Sequence, residues 1–443
     1  MKSLVLRLFA AAAATAVAVS GCDAVMPGAL DRPDTPVTTT GVGPGVTAET
    51  VKVVFVGVDL QRTSELTGFR SVDAGDPQAQ VKALETWVNA NGGIAGRRMQ
   101  AVFRSYEASN DSPAAEEKLC NQVTQDDQAF AVVLTGQFQS NARPCYAQRR
   151  TLMLDATLVA TDQKTYQQLA PYLWAASYPA YDEFVTAFLR TLSARQFFAG
   201  PVGVVAADTP SNRNAFDTVV APYLREAKVT PTVAWVDTTD LGTLNAGLNQ
   251  GAVAFRSKGI RQVMFLGGAR MASFFLTAAA AQDFTARYAI SSFDNPSFLV
   301  NNPATIPQAA LKDMIGIGFN PSQDVPDAKY AFPATDAERA CVSIFSAGGQ
   351  SFKTRENARV ALTYCDAARL LHAAARTLGA DLNAAAWSDA ARSLGRGFQP
   401  ATGFSGLLGA GRFSAANGYR VLGYEQGCRC FTYLSEEASF GNG

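Results

Sequence analysis

Residues 81–103, VKALETWVNANGGIAGRRMQAVF, carry a helical pattern, a glycine turn and a strand pattern in immediate succession. The apolar positions of the first part recur at the spacing of one helix face: Val81, Leu84, Trp87 and Val88. This spacing predicts a helix over 77–91. Glycine adopts the left-handed conformation at a helix end without steric cost, so the Asn-Gly-Gly turn ends that helix. The strand pattern MQAVFRSY at 99–106 completes one unit of an α/β fold.

The same alternation of strands and helices extends to both sides of this unit. The run VKVVFVGV at 51–58 is almost continuously apolar, as expected for a strand covered on both faces. A second series of strands and helices opens near Tyr178. Alternation of this kind predicts parallel sheets with right-handed crossovers, and two series predict two doubly wound, Rossmann-like lobes. Ligands of such sheets bind outside the carboxyl ends of the strands, so two facing lobes would enclose a cleft.

Composition and motifs give no sign of a nucleic-acid partner or of a catalytic site. The chain has 443 residues, 48% of them hydrophobic, with a formal net charge of +0, so it carries no basic footprint for nucleic acid. The single histidine, His372, excludes an HExxH zinc site. The sequence also contains no G-x-S-x-G elbow and no Walker A motif. We therefore predict no enzymatic activity, no cofactor and no metal.

The first residues have the layout of an export signal. A basic start at Lys2 and Arg7 precedes an apolar run that is shorter than the roughly 20 residues of a membrane-spanning helix. The run ends Val-Ser-Gly-Cys at Cys22, which resembles a bacterial lipobox, although an ordinary signal with a chance cysteine is the alternative. We predict a signal peptide over 1–21 and lipidation of Cys22. Residues 22–50 are rich in Pro, Gly and Thr and are predicted to form a flexible tether.

The remaining cysteines form an even set, which in an exported chain suggests disulfides. Pairing of nearest neighbours is the simplest arrangement, and it joins Cys120 with Cys145, Cys341 with Cys365, and Cys428 with Cys430. The last pair is the least expected, since cysteines two positions apart on a strand lie far apart for an unstrained bridge. Free or differently paired thiols are the alternative.

Four stretches, taken in their order, resemble one protein family. They are GVTAETVKVVFVGVDL (45–60), the opening segment 81–103, AFAVVLTGQFQSNARPCYAQRRTLML (129–154) and ALTYCDAARLLHAAARTLGA (361–380). They are similar to the type I periplasmic binding proteins, and in particular to the substrate-binding lipoproteins of branched-chain amino acid ABC transporters. The resemblance covers roughly residues 45–425, and the positions of Cys120 and Cys145 match a first-lobe disulfide of that family.

The resemblance implies three hinge crossovers, which we place near Ser177, Asn320 and Ala401. The first lobe would comprise 51–176 and 320–400, and the second 177–319 and 401–443. The family role is extracytoplasmic binding of a small polar ligand, such as an amino acid or amide, by hinge closure, followed by delivery to an ABC permease in the membrane. A ligand-sensing receptor subunit and an exported hydrolase are the alternatives.

The loop between 136 and 141 is the first candidate for ligand contact, because it follows a strand and opens a helix whose free N–H groups attract carboxylates. By resemblance, Gln139 and Ser140 would hold an anionic or carbonyl group, with Gln137 and Phe138 beside them. Ser140 has an alternative role as a helix cap.

Further candidates stand at other strand ends, each with a purely structural alternative. Asp294 would pair with an ammonium group or belong to an Asp-Asn turn. Tyr178 and Tyr181 would form an aromatic wall or pack in the core. The other candidates are Gln61, Arg62 and Asn212: Arg62 would clamp an acid or be a solvated loop residue, and Asn212 would contact ligand or cap a helix. Three loops depart from the family pattern where ligand contacts usually lie: DLQRTSELTG, YPAYDEF and DTPSNRNAF.

Overall fold

The computed structural model describes residues 38–59, 61–70 and 72–441. The predicted signal peptide, Cys22 and the tether up to residue 37 lie outside these ranges. Within them, strands and helices alternate and the strands form two sheets, which confirms the predicted α/β fold class.

The first sheet is entirely parallel. Its strands are β1 (Thr50–Asp59), β2 (Arg98–Glu107), β3 (Ala131–Leu134), β4 (Leu152–Asp155) and β5 (Leu173–Trp174). They lie in the order β2-β1-β3-β4-β5. The side chains from Val53 to Val56 are fully buried on both faces, which explains the continuous apolar run of β1.

The second sheet repeats this order and extends it. Its strands are β6 (Val202–Ala207), β7 (Thr232–Val236), β8 (Gln262–Leu266), β9 (Arg287–Ser291), β10 (Ile315–Gly318), β11 (Gly418–Glu425), β12 (Cys430–Tyr433) and β13 (Ala438–Ser439). The order β7-β6-β8-β9-β10 is parallel, and β11 and β12 follow as antiparallel strands. In both sheets the order of the strands therefore reverses beside the strand that comes first in the chain, β1 or β6. Open α/β sheets bind ligands at this point.

The helices cover the faces of these sheets. They are α1 (Gln61–Thr67), α2 (Pro77–Ala90), α3 (Pro113–Asn121), α4 (Arg143–Gln148), α5 (Gln163–Gln168), α6 (Tyr181–Ala194), α7 (Pro210–Ala215), α8 (Ala221–Glu226), α9 (Leu241–Ser257), α10 (Ala269–Ala281), α11 (Pro296–Asn301), α12 (Pro321–Asp324), α13 (Asp336–Ala347), α14 (Arg355–Ala375) and α15 (Ala384–Ser393). In the part of the chain that is described, every helix is too short or too polar to cross a lipid bilayer.

Local sequence explains where these helices begin and end. The carboxylate of Asp76 accepts hydrogen bonds from the backbone N–H groups of Gln78 and Ala79, and Pro77 occupies the first helical position of α2. At the other end, Gly92 has a φ of 96°, so the glycine turn ends the helix as predicted.

Each sheet has its own hydrophobic core. We call the first sheet with its packed helices the first lobe, and the second sheet with its helices the second lobe. Residues from α13, α14 and α15 join the core of the first sheet, and Phe413 and Ala415 still belong to it. The chain enters the second sheet again at Gly418, the first residue of β11. The exact lobe limits at 176, 319 and 400 stay a prediction.

All three expected disulfides form: Cys120–Cys145, Cys341–Cys365 and Cys428–Cys430. The first two lie within the first lobe, and the third closes the turn between β11 and β12.

The dipeptide Asn-Gly is a common signal for a hairpin turn, but Asn417-Gly418 does not form one. The backbone N–H of Asn417 donates to the carbonyl of Ser405, and its carbonyl accepts from the N–H of Phe440, so this residue is extended between two neighbours. Gly418 already belongs to β11, and the hairpin turns instead between Glu425 and Cys430.

Candidate functional site

A cavity of about 220 Å³ lies between the two lobes. The first lobe contributes the loops after β1 and β3, and the second lobe contributes α10 and the segment before α11. Much of its wall is apolar, with side chains that include Val58, Phe69, Phe138, Leu158, Phe274 and Phe298. The volume is below the roughly 300–1,000 Å³ of pockets for drug-sized molecules, so the cavity suits a small solute.

The first-lobe wall is shaped by the turn that follows β3. Thr135 donates its hydroxyl to the carbonyl of Val56 on β1, at 2.6 Å, and fixes the strand end. Gly136 has a φ of 76°, and a Cβ there would collide with the side chain of Val58. Only glycine fits this turn, which carries Gln137 into the cavity wall.

Four polar side chains of the lining have atoms without a hydrogen-bond partner among the described residues. They are Gln137 (Nε2 and Oε1), Asn295 (Oδ1), Gln323 (Oε1) and Arg359 (Nη1). A buried polar atom without a partner costs about 1–3 kcal/mol, so natural structures seldom keep several together without a use. Their convergence on one cavity marks it as a binding site.

Arg359 brings a positively charged side chain to this wall. It lies in the first turns of α14, and burial lowers the pKa of its guanidinium, while nearby Glu356 opposes this shift. The carboxylate of Glu356 itself accepts two hydrogen bonds from Nδ2 of Asn301, at 2.9 and 3.0 Å. The lining contains three arginines, Arg70, Arg270 and Arg359, and no Asp or Glu.

A polar contact that we call the interlobe latch joins the lobes beside the cavity. It consists of Asp111 and Gln139 from the first lobe and Thr238 and Arg270 from the second. Nη2 of Arg270 donates to Oδ2 of Asp111 at 3.1 Å, and Nε2 of Gln139 donates both to this oxygen, at 2.8 Å, and to the carbonyl of Thr238, at 2.9 Å. Oδ1 of Asp111 accepts from the hydroxyl of Tyr106 at 2.8 Å.

A second contact between the lobes is apolar. Phe69, which follows α1 in the first lobe, packs against Phe274 and Phe298 of the second lobe with ring centroids 5.3 and 5.2 Å apart. The next backbone N–H, of Arg70, donates to Oδ1 of Asn302 at 2.6 Å. Together with the latch, these contacts hold the two lobes against each other.

The connections between the lobes form the back of the site. The hydroxyl of Tyr178 accepts from Nε2 of Gln323 at 3.2 Å, and both residues line the cavity. Asp366 on α14 accepts from the backbone N–H groups of Ala401 and Thr402, at 2.6 and 3.0 Å. It also accepts from the hydroxyl of Ser177 at 3.3 Å, so two separate passages of the chain meet at one buried carboxylate.

The residues predicted to contact ligand divide into several groups. Gln137, Phe138 and Tyr178 line the cavity. Gln139 lies in the interlobe latch rather than in the cavity wall. Ser140 does not line the cavity, and its carbonyl accepts from the N–H of Arg143 at 3.3 Å.

The other predicted contacts lie away from the cavity wall. Gln61 and Arg62 are exposed on α1, a helix where the sequence suggested a loop. Tyr181 packs against Phe184 and Phe293 in the second-lobe core. Asn212 is buried beside Thr209, whose hydroxyl accepts from both its backbone N–H and Nδ2. Asp294 is buried and accepts from the backbone N–H and hydroxyl of Ser291, at 2.9 and 2.8 Å, and burial raises the pKa of its carboxyl to about 7.

Most lining residues were not predicted from the sequence, including Phe69, Asn295, Gln323 and Arg359. One signal in the sequence pointed to Arg359, because it is a charged residue near the start of a long helix that is otherwise largely apolar on one face. Phe69 could not be recognised, since nothing local shows that a loop residue of one lobe packs into the core of the other.

The chain is similar to known proteins in structure but not in sequence. No family profile and no curated protein matches the sequence. Solved structures do match: a possible leucine/isoleucine/valine-binding protein from Rhodopirellula baltica SH 1 has a TM-score of 0.61 at 14% identity, covering 88% of this chain and 97% of that one. A branched-chain amino acid ABC transporter protein from Thermus thermophilus with bound valine has a TM-score of 0.61 at 14% identity, covering 89% and 97%.

A solute-binding protein of an ABC transporter from Rhodopseudomonas palustris BisB5, in complex with 3,4-dihydroxy benzoic acid, has a TM-score of 0.60 at 10% identity. It covers 89% of this chain and 98% of that one. At these identities the similarity shows the fold. The chain therefore has the type I periplasmic binding protein fold that its sequence resembles.

Proposed function

We propose that the protein is an extracytoplasmic solute-binding protein that closes its two lobes over one small organic molecule and presents it to an ABC permease. One observation carries this proposal: the cavity between the lobes collects partnerless polar atoms inside an apolar wall. A fold shared with solute-binding proteins supports it.

Closure by a hinge would explain the contacts around the cavity. The interlobe latch and the Phe69 contact both join side chains of opposite lobes, whereas most of the core of the first lobe is a cluster of its own. Such an arrangement opens by rotation about the connecting segments without unfolding either lobe. The ligand would supply the remaining hydrogen bonds of the cavity and thereby favour the closed form.

The test combines a binding screen with a measurement of shape. A ligand that binds only the folded chain raises its melting temperature by mass action, so amino acids, amides and organic acids are screened by thermal shift. Each hit is then examined by small-angle X-ray scattering, and we expect a smaller radius of gyration with the hit than without it. A chain whose melting temperature and scattering respond to none of these classes would contradict the proposed function.

Attachment of the protein to the outside of the membrane is part of the same proposal and is tested separately. We expect mass spectrometry of the mature protein to show Cys22 as the first residue, carrying acyl chains. The variant Cys22→Ser is expected to leave the membrane fraction, since two or more acyl chains are needed for stable anchoring. Retention of this variant in the membrane fraction would contradict lipid anchoring.

A further inference from the structure

We propose that the ligand is a small organic acid with an apolar body and without an ammonium group, and that Arg359 binds its carboxylate. This inference rests on the proposed function and specifies the chemistry of its ligand.

The charges around the cavity favour an anion. Arg270 is already neutralised by Asp111 in the interlobe latch. Arg359 has an unpartnered Nη1, and the described residues contain no salt bridge between it and Glu356, whose carboxylate is bound by Asn301. A planar guanidinium in an apolar wall binds a carboxylate through charge-assisted hydrogen bonds.

The same wall disfavours an ammonium group. An amino acid whose carboxylate binds Arg359 would place its ammonium one carbon away, close to the guanidinium. The lining offers this second cation no carboxylate. Burying a charge without an opposite charge is costly, so the zwitterion loses more on leaving water than the simple acid does.

The remaining lining residues indicate the chemistry of the rest of the ligand. Aromatic and aliphatic side chains surround it, among them Phe274, Phe298 and Val360. Three amide oxygens remain without donors: those of Gln137, Asn295 and Gln323. Neutral oxygens of this kind accept hydrogen bonds from hydroxyl groups, so hydroxyl substituents on the apolar body would add affinity.

The experiment compares acids with amino acids of the same skeleton. Titration calorimetry on the full chain measures 4-methylpentanoate against leucine and 3-phenylpropanoate against phenylalanine, with 3-phenylpropanamide as the uncharged form. We expect each acid to bind at least about tenfold more tightly than its amino acid and its amide, in line with charge-assisted hydrogen bonds to one guanidinium.

The variant Arg359→Gln identifies the residue responsible. We expect it to weaken the binding of both acids by about tenfold or more and to leave the amide nearly unchanged. The matched control is Arg376→Gln, an exposed arginine just after the same helix, which is expected to keep the affinity of the unaltered protein. Circular dichroism confirms that both variants fold.

The possible failures are distinct. Amino acids that bind as tightly as their acids, or acids that bind Arg359→Gln unchanged, would overturn this inference and leave closure over a solute in place. Absence of any response across acids, amino acids and amides would overturn the proposed function and this inference with it.

Discussion

Asp111 of the first lobe and Arg270 of the second lobe form an ion pair across the cleft, with 3.1 Å between Oδ2 and Nη2. Their side chains are 1% and 11% exposed, and the guanidinium lies 4.0 Å from the ring centroid of Phe138. In the hinge motion that we propose, this pair forms only when the lobes come together, so it would stabilise the closed form specifically.

Replacing Asp111 by Asn should weaken ligand binding. In this variant Arg270 remains buried without an opposite charge. Removal of one partner from a buried ion pair costs about 3–5 kcal/mol when the remaining charged group cannot be hydrated. Opening of the lobes hydrates Arg270, so we expect a smaller loss, about 10- to 100-fold in affinity, through faster dissociation. Stopped-flow dissociation rates with a hit from the binding screen provide the measurement.

The control for this variant is Lys329→Gln, which breaks the partly exposed pair between Lys329 and Glu425. Exposed pairs contribute about 1 kcal/mol or less, so its dissociation rate should match that of the unaltered protein. Equal dissociation rates for Asp111→Asn and the unaltered protein would show that the latch does not hold the lobes closed.

Phe69→Ala should favour the open form. Phe69 is 8% exposed and packs between the lobes, so its truncation removes apolar contact made only on closure. We expect affinity to fall about 10-fold or more, with little change in the unfolding of the ligand-free open chain. Leu66→Ala, at an exposed position of α1 three residues before Phe69, is the matched control. A variant Phe69→Ala whose calorimetric affinity equals that of Leu66→Ala would contradict this role.

Arg143→Met should destabilise the first lobe. Arg143 forms a salt bridge with Asp155 at the end of β4 and donates to the hydroxyl of Thr161 at 2.8 Å, with both ionic side chains about 95% buried. Its loss leaves the Asp155 charge without compensation, so we expect the free energy of unfolding in urea to fall by about 3–5 kcal/mol.

Arg213→Met provides the comparison for that measurement. It breaks the exposed pair between Arg213 and Asp208, for which we expect a change of about 1 kcal/mol or less. Similar losses of unfolding free energy in the two variants would mean that the buried Arg143 pair contributes no more to stability than the exposed pair.

Asp324 should make the stability of the protein depend on pH. Its carboxyl is fully buried between Tyr433 and the backbone of Asn320, and burial raises its pKa from an ordinary value near 4 to about 7. Between these two values the folded chain binds a proton that the unfolded chain has lost. The contribution to stability therefore falls as pH rises from about 4 to about 7 and is level above that, with a slope of at most about 1.4 kcal/mol per pH unit.

The variant Asp324→Asn cannot titrate, so its stability relative to the unaltered protein should rise from pH 5 to pH 7. Chemical unfolding at several pH values measures this difference. In the control Asp208→Asn, the carboxyl that is replaced has a lowered pKa, so the difference should stay constant over this range. If the stability difference between Asp324→Asn and the unaltered protein does not change with pH, the raised pKa of Asp324 is contradicted.

Much of the fold follows from sequence because its elements are long and periodic. The apolar run at 51–58 and the helix predicted over 77–91 match β1 and α2 closely. The site is less predictable, because it depends on which way single side chains point. Tyr178 lines the cavity, while Tyr181, three residues later, is part of the core.

Distance along the chain limits prediction further. Gln137 follows a strand of the first sheet directly, so the general rule for α/β sheets finds it. Arg359 reaches the same cavity from a helix more than two hundred positions later, and only the folded chain brings the two together. Asn417-Gly418 shows the same limit, since pairing with distant segments overrides a strong local turn signal.

The core of the first lobe combines residues from 51 to 180 with residues from 337 to 415. A ribosome delivers the earlier segment long before the later one, so the sheet formed by β1 to β5 lacks its covering α14 for most of synthesis. Many nascent chains fold one domain at a time, but the first lobe cannot complete its fold before its later segment has been synthesised. Its apolar face therefore stays uncovered until nearly the whole polypeptide is available for folding.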